Sequence, residues 1–268
     1  MFDFLKKKPE IIPVSEPVIE IPRTFVNSIG MEFLYIDAGE FTMGRNPQYG
    51  EGGEVESPPH TVKLSGFWIS KYPVTQEQYF KLTRVNPSYF KNDKVEEKSS
   101  RQHPVEQVSW FDATAYVELM NRYEGKRHFY ALPSEAQWEY VTKAGGNTRF
   151  TFGDSEAQLD EYAVYEYSTN AKTAVVGAKL PNRLGIHDLL GNVWEWCEDD
   201  FFANYMGAPL DGSARIGGAE AESFKVRRGG SYKTSYLCLR SSYRGYSRPD
   251  YASNETGLRL VINGDPFQ

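Results

Sequence analysis

The chain has 268 residues, 40% hydrophobic and 25% charged, a composition that excludes disorder over the whole length and leaves enough apolar material for a full core. Thirty Lys and Arg against 36 Asp and Glu leave a net charge of -6, which excludes the broad basic footprint of a nucleic-acid binder. No apolar run approaches the roughly 18 to 20 residues that span a bilayer.

In chain order, residues 1–24 come first, with Pro9, Pro13, Pro17 and Pro22 spaced so as to prevent a helix and favour extended backbone. They read as a tether to the domain or to an assembly partner, and residues 25–268 read as a single domain. The start MFDFLKKKPE has no apolar stretch after its lysines, so the sequence as written carries no secretory signal and the expected location is cytoplasmic. The stretches MEFLYIDAGEFTMG and TVKLSGFWISKYPV alternate apolar and polar residues around glycines and read as hairpins. Three helices follow: TQEQYFKLTRV capped by Thr75, WFDATAYVELMNRYEG stopped by Gly125, and PSEAQWEYVTKAGG capped by Ser134 and ended by Gly145. In the third, Glu135 is placed to meet first-turn amides while Trp138 and Tyr140 pack inward. Beyond Asn147 long helices vanish, and a Gly, Asn, Tyr and Trp rich chain must satisfy its buried backbone through side chains, arginine forks or bound cations.

Aromatic residues make up 15%, with 18 Tyr, 16 Phe and 5 Trp, so rings set among turns should hold the core. Two cysteines, Cys197 and Cys238, lie far apart without a CxxC or Cys/His cluster; this excludes a disulfide framework and favours free thiols over a zinc site. His60, His103, His128 and His187 are scattered, and a lone histidine in a turn is more often a scaffold hydrogen-bonding group than a ligand. There is no nucleophile elbow, phosphate loop or HExxH.

The phrases MEFLYIDAGEFTMG, FWISKYPVTQEQY, HPVEQVSWFDATAY, LPSEAQWEY, GIHDLLGNVWEW and VRRGGSY running to GLRLV, in that order over Phe25 to Ile262, resemble the formylglycine-generating-enzyme and sulfatase-modifying-factor domain. The resemblance implies an α+β domain of the C-type lectin-like type, two or three helices on small antiparallel sheets with much irregular backbone, and often bound calcium. Some members of that family are copper-dependent oxidases, others iron-dependent sulfoxide synthases, and many are binding or display domains without catalysis. The oxidases are similar in carrying two cysteines after the GGSY turn, a thiolate pair suited to the soft ion Cu(I). Here only Cys238 lies in that segment, so copper is not expected, and neither is the sulfoxide-synthase chemistry that goes with a histidine triad in a separate helical domain. In GIHDLLGNVWEW, Asn192 and Glu195, with Asp188 nearby, resemble a structural calcium site; the competing reading is that they bond local backbone.

The segment after Gly230 holds Tyr232, Ser235, Tyr236, Tyr243, Tyr246, Ser247, Tyr251 and Ser253 among arginines, the residue types that dominate recognition surfaces. It also resembles the variable region of proteins diversified by retroelements, which use this fold and randomise adenine-containing codons. The competing reading packs these tyrosines inward and sets Arg240, Arg244 and Arg259 on carboxylates such as Asp250 and Glu255. The expectation is a non-catalytic module whose face at residues 232–256, built from those eight residues, takes a protein or small ligand. A formylglycine-generating-type or related metal-dependent oxidoreductase and a structural subunit of a larger complex stand as alternatives. Tryptophans should be buried and several late tyrosines exposed.

Overall fold

In the computed structural model, the residues described are 23–264 apart from 51, 92–93, 96–99, 126–128, 169–170 and 218–223. The tether at 1–22 and His128 lie outside them. Arg23 and Thr24, assigned by sequence to the tether, belong to the fold: Arg23 pairs with Asp37 at 2.8 Å, and Thr24 opens the first strand.

Each helix forms where the sequence supplies its own start. Helix α1 (Gln76–Thr83) is capped by Thr75 with Gln78, α2 (Trp110–Tyr123) by Ser109 with Asp112, and α3 (Glu135–Lys143) by Ser134 with Gln137. In each, the cap hydroxyl accepts from the third helical amide while that residue's side chain accepts from the cap amide, which satisfies two orphan donors at once. Helix α2 buries Ala113, Tyr116 and Met120, one face at helical spacing. A fourth helix, α4 (Leu159–Tyr162), is a single turn.

The first sheet runs β1 (Thr24–Val26), β2 (Glu32–Ile36), β5 (Phe67–Ser70), β11 (Val261–Asn263) and β6 (Tyr130–Ala131), all antiparallel. The second runs β10 (Thr256–Gly257), β7 (Trp194–Asp200), β8 (Lys225–Arg228) and β9 (Gly245–Ser247), with β10 parallel to β7. Strands β3 (Gly39–Met43) and β4 (His60–Leu64) form a separate pair. The two hairpins expected from sequence are therefore corrected: the strands form, but β2 does not pair with β3, nor β4 with β5. Strand β5 is buried at every position and needs partners on both sides, which β2 and β11 provide. The turn before it lies under Tyr35, whose hydroxyl would sit 2.1 Å from any Cβ at Gly66.

Strand alternation divides the interior. Phe33, Trp68 and Ile262 face one core with α2 and Trp196; Ile36, Phe67, Ile69 and Val261 face another with Trp138, Val141, Cys197 and Val226. Four tryptophans are buried as expected, whereas Trp110 is half-buried, its Nε1 donating to the Cys197 carbonyl and Lys225 Nζ lying 4.0 Å above its ring.

Candidate functional site

The segment after the GGSY turn is anchored from beneath by arginine forks on buried glutamates. Arg240 reaches Glu56 at 2.7 and 2.8 Å, with Ser242 Oγ donating to the same carboxylate at 2.7 Å. Arg244 holds Glu135 at 2.7 and 2.8 Å, so Glu135 turns to this fork rather than to the first-turn amides, and its own amide donates to Asp199 instead. Arg228 pairs with Glu139, which also takes Lys143 Nζ at 3.0 Å. Burial alone would raise the Glu139 carboxyl, but Lys143 and Arg228 outweigh it and hold that group below the usual range. Arg259 forks onto Glu195 at 2.9 Å. These are the carboxylates that the arginines meet; Asp250 pairs with the exposed Arg248, and Glu255 takes Lys233 at 3.7 Å.

On this frame the eight residues expected at a binding face take three different positions. Tyr246 and Tyr251 are 46% and 44% exposed. Tyr246 stacks on Phe201 at 4.0 Å and meets Phe224 edge-on at 5.3 Å. Residues paired across a sheet share a face, so Tyr246 lies on the side of its partner Val226, while Arg227, opposite Gly245, lies on the other with Trp194. Tyr251 covers Arg227 there, at 5.6 Å, so the two exposed rings bracket edge strand β9 from its two sides. Gly245 is required at this point: a Cβ would stand 2.7 Å from the Trp194 ring.

Tyr236 and Tyr243 are half-buried, Tyr236 against the cluster of Phe150, Leu159 and Leu239, and Tyr243 beside Trp194 at 6.1 Å. Ser235 precedes the short turn Tyr236–Cys238, Ser247 ends β9, and Ser253 pairs with the Thr256 hydroxyl at 3.2 Å. Tyr232 is a correction. It is fully buried, edge-on to Phe90 at 5.1 Å, because the GGSY turn feeds it under that ring, and it cannot contribute to an open face. Its hydroxyl has no hydrogen-bond partner among the described residues, and neither does Oε2 of the neighbouring Glu106, whose Oε1 accepts from the Phe90 amide at 2.7 Å. Burial pushes the Glu106 carboxyl up to about 7.

Sequence reasoning missed Phe201, Phe224 and Arg227. The signal for Arg227 was present: in KVRR the period-two alternation buries Val226 and Arg228 and turns Lys225 and Arg227 outward.

The expected calcium does not fit Asn192 and Glu195. The Asn192 amide closes on the Ala174 backbone, accepting from its N–H at 3.1 Å and donating to its carbonyl at 3.2 Å. Both oxygens of Glu195 are taken by Arg259, and Oε2 also accepts from Trp138 Nε1 at 2.7 Å, so the carboxylate is already neutralised. Asp188 spends one oxygen on the Gly177 amide, and burial pushes its carboxyl up to about 6. Among the described residues, no three or more His, Cys, Asp and Glu side chains converge as a metal-binding group. The two cysteines are free thiols: Cys197 is buried in β7, where desolvation drives its pKa well up, and Cys238 is half-buried in the short turn. A two-thiolate copper site cannot be assembled from a segment with one cysteine. His60, His103 and His187 bond Pro58, Thr173 and Lys179 and serve the scaffold.

No helix among the described residues is long and apolar enough to cross a membrane. Compared with known proteins, the chain is 29% identical to the serine/threonine-protein kinase Pkn1 of Chlamydia trachomatis over 93% of this chain and 41% of that protein. It thus spans about two fifths of the length of the Chlamydia kinases it matches, at 41%, 38% and 38%. It is 28% identical to the formylglycine-generating enzyme of Streptomyces coelicolor, covering 86% of this chain and 88% of that one. Among solved structures it is similar to PvdO from Pseudomonas aeruginosa (TM-score 0.80, 26% identity, 91% of this chain and 99% of that one). It is also similar to Treponema denticola variable protein 1 (TM-score 0.78, 26% identity, 90% and 98%). The sulfatase-modifying factor enzyme 1-like domain matches residues 22–264, and with the α+β lectin-like fold and the ordered motifs above, the chain belongs to that family.

Proposed function

We propose that this domain is a non-catalytic binding module that presents the rim of strand β9 to a protein or small ligand. One observation carries the reading: the segment after Gly230 is fixed internally by the Arg240–Glu56 and Arg244–Glu135 forks while Tyr246 and Tyr251 remain exposed above it. A frame that holds its loop without using the displayed rings loses little entropy on binding, and tyrosine gives large contact area for few rotamers. The lone cysteine of the segment agrees with a module that has given up the oxidase chemistry, and the similarity to a Treponema denticola variable protein agrees with a recognition role. Whether this segment is diversified is read from the gene: a nearby near-copy of the 232–256 coding stretch differing at adenines supports retroelement diversification, and its absence favours a fixed binder or a structural subunit.

The test has two arms. A peptide library panned on the purified chain is expected to yield binders that lose retention on Tyr246→Ala or Tyr251→Ala proteins of unchanged melting midpoint. The same chain, given copper and a cysteine-containing sulfatase peptide, is expected to leave the cysteine unoxidised; conversion of that cysteine would falsify the non-catalytic reading. Alkylation of Cys238 separates it further from a single-thiol enzyme, which should lose turnover.

A further inference from the structure

Arg227 differs from the arginines around it. Arg228, Arg240, Arg244 and Arg259, all buried, each hold a glutamate within 2.9 Å or closer. Arg227 is half-buried between two aromatic rings, Trp194 at 4.9 Å and Tyr251 at 5.6 Å, and no carboxylate lies within ion-pair distance of it among the described residues. Its Nη1 donates to the Thr256 hydroxyl at 3.1 Å, the Tyr251 side chain is a further hydrogen-bond partner, and its Nε is buried with no partner among the described residues. The carboxylate whose field reaches it, Glu255, is already engaged by Ser231 Oγ at 2.8 Å and Lys233 at 3.7 Å. A desolvated guanidinium with an unused N–H raises the free energy of the empty site, and a bound anion would relieve it.

We propose that Arg227, walled by Trp194 and Tyr251, is the anchor of an anion subsite that accepts one carboxylate of the ligand, an acidic side chain or a chain terminus. Charge count selects carboxylate over phosphate. The other two cations of this strand are occupied, Lys225 by Asp200 at 2.6 Å and Arg228 by Glu139, so of the three only Arg227 offers the ligand an unpaired positive charge. One planar guanidinium matches one planar carboxylate through Nε and an Nη in parallel, whereas a phosphate dianion would leave a second charge uncompensated against aromatic walls. Gly245 lets the Trp194 ring close against the backbone beside Arg227 and fixes that wall, since a Cβ there would stand 2.7 Å from the ring. The inference rests on the binding reading above and assigns the ligand's chemistry at one point of that surface.

The experiment follows two resonances in the full chain, the Arg227 Nε–Hε, assigned by its loss in Arg227→Gln, and the indole N–H of the adjacent Trp194, which both variants keep, during titration with sodium benzoate, benzamide and inorganic phosphate at fixed ionic strength. Benzoate is expected to give a saturable shift, with neutral benzamide inert, phosphate weaker, and affinity reduced roughly tenfold or more in Arg227→Gln and less in Arg227→Lys. If the glutamine variant does not fold, the lysine variant alone carries the comparison. A benzoate shift that is absent, or matched by benzamide, overturns the subsite, and phosphate binding as tight as benzoate overturns the carboxylate assignment. Failure here is separable from failure of the binding module: panned peptides that depend on Tyr246 and Tyr251 but are indifferent to Arg227→Gln would retain the module and remove the subsite.

Discussion

Replacing Glu106 by glutamine isolates the energetic consequence of an ionisable group sealed beneath the late segment. Its Oε1 accepts from the Phe90 amide, its Oε2 has no partner among the described residues, and the residue is fully buried, so desolvation raises its carboxyl from 4.5 to about 7 despite opposing contributions from that amide and from Lys91 and Lys94. Because the folded value lies above the unfolded one, the group's contribution to stability is fully present below its unfolded pKa and is lost as pH rises through about 7. Between pH 5 and pH 8 that loss is about 2.5 kcal/mol by linkage. Glutamine keeps the acceptor and cannot ionise, so the stability difference between variant and parent should shift by about that amount in the variant's favour over this window. Urea unfolding at pH 5, 6.5 and 8 measures it. Asp199, raised to about 7 by burial and by Glu135, adds its own slope to both proteins and cancels in the difference. A difference that is the same at pH 5 and pH 8 would refute the reasoning.

Three further outcomes are expected. Glu195→Gln should destabilise the domain by about 3 kcal/mol because it leaves Arg259 buried and charged, and adding Arg259→Met should recover part of that; urea curves in which the two losses simply add would remove the ion-pair account. Calcium followed by a chelator should leave the thermal midpoint in place, since a site-bound ion would stabilise by mass action, and a rise of several degrees with millimolar calcium would restore the metal at Asn192 and Glu195. Gly245→Ala should destabilise by roughly 1 to 3 kcal/mol as the new methyl meets Trp194, with near-ultraviolet circular dichroism reporting the displaced ring; an unchanged melt would show that Trp194 has room to move.

What could be read in advance followed the range of the interaction. Thr75 and Ser134 mark helix starts because a cap and its partner lie three residues apart, and both helices form there. Strand partners were not legible: β2 joins β5 and β11 inserts between β5 and β6, pairings settled by burial of Phe67, Trp68 and Ile69 on both faces rather than by local turns. The obstacle to calcium was hidden for a similar reason, since Glu195 looks free beside Asn192 until Arg259 arrives 64 residues later. Composition showed that the late tyrosines were unusual, but not that Tyr232 turns inward under Phe90 while Tyr251 turns outward and Tyr246 follows the register of β9 against β8. Arg240 illustrates the extreme: its partner Glu56 lies 184 residues away.

The five-stranded sheet also governs how this unit can be spliced into other polypeptides. Its first strand, β1, and its last, β11, belong to the same sheet with β2 and β5 between them, so entry and exit are separated by three interstrand spacings, roughly 15 Å. A host chain therefore needs only a short gap to receive the whole unit, and neither junction has to thread through it. The same arrangement makes the splice all-or-none: β11 is an interior strand, so an architecture that cuts the unit before residue 261 opens the sheet between β5 and β6 and exposes the aliphatic surfaces of both cores together.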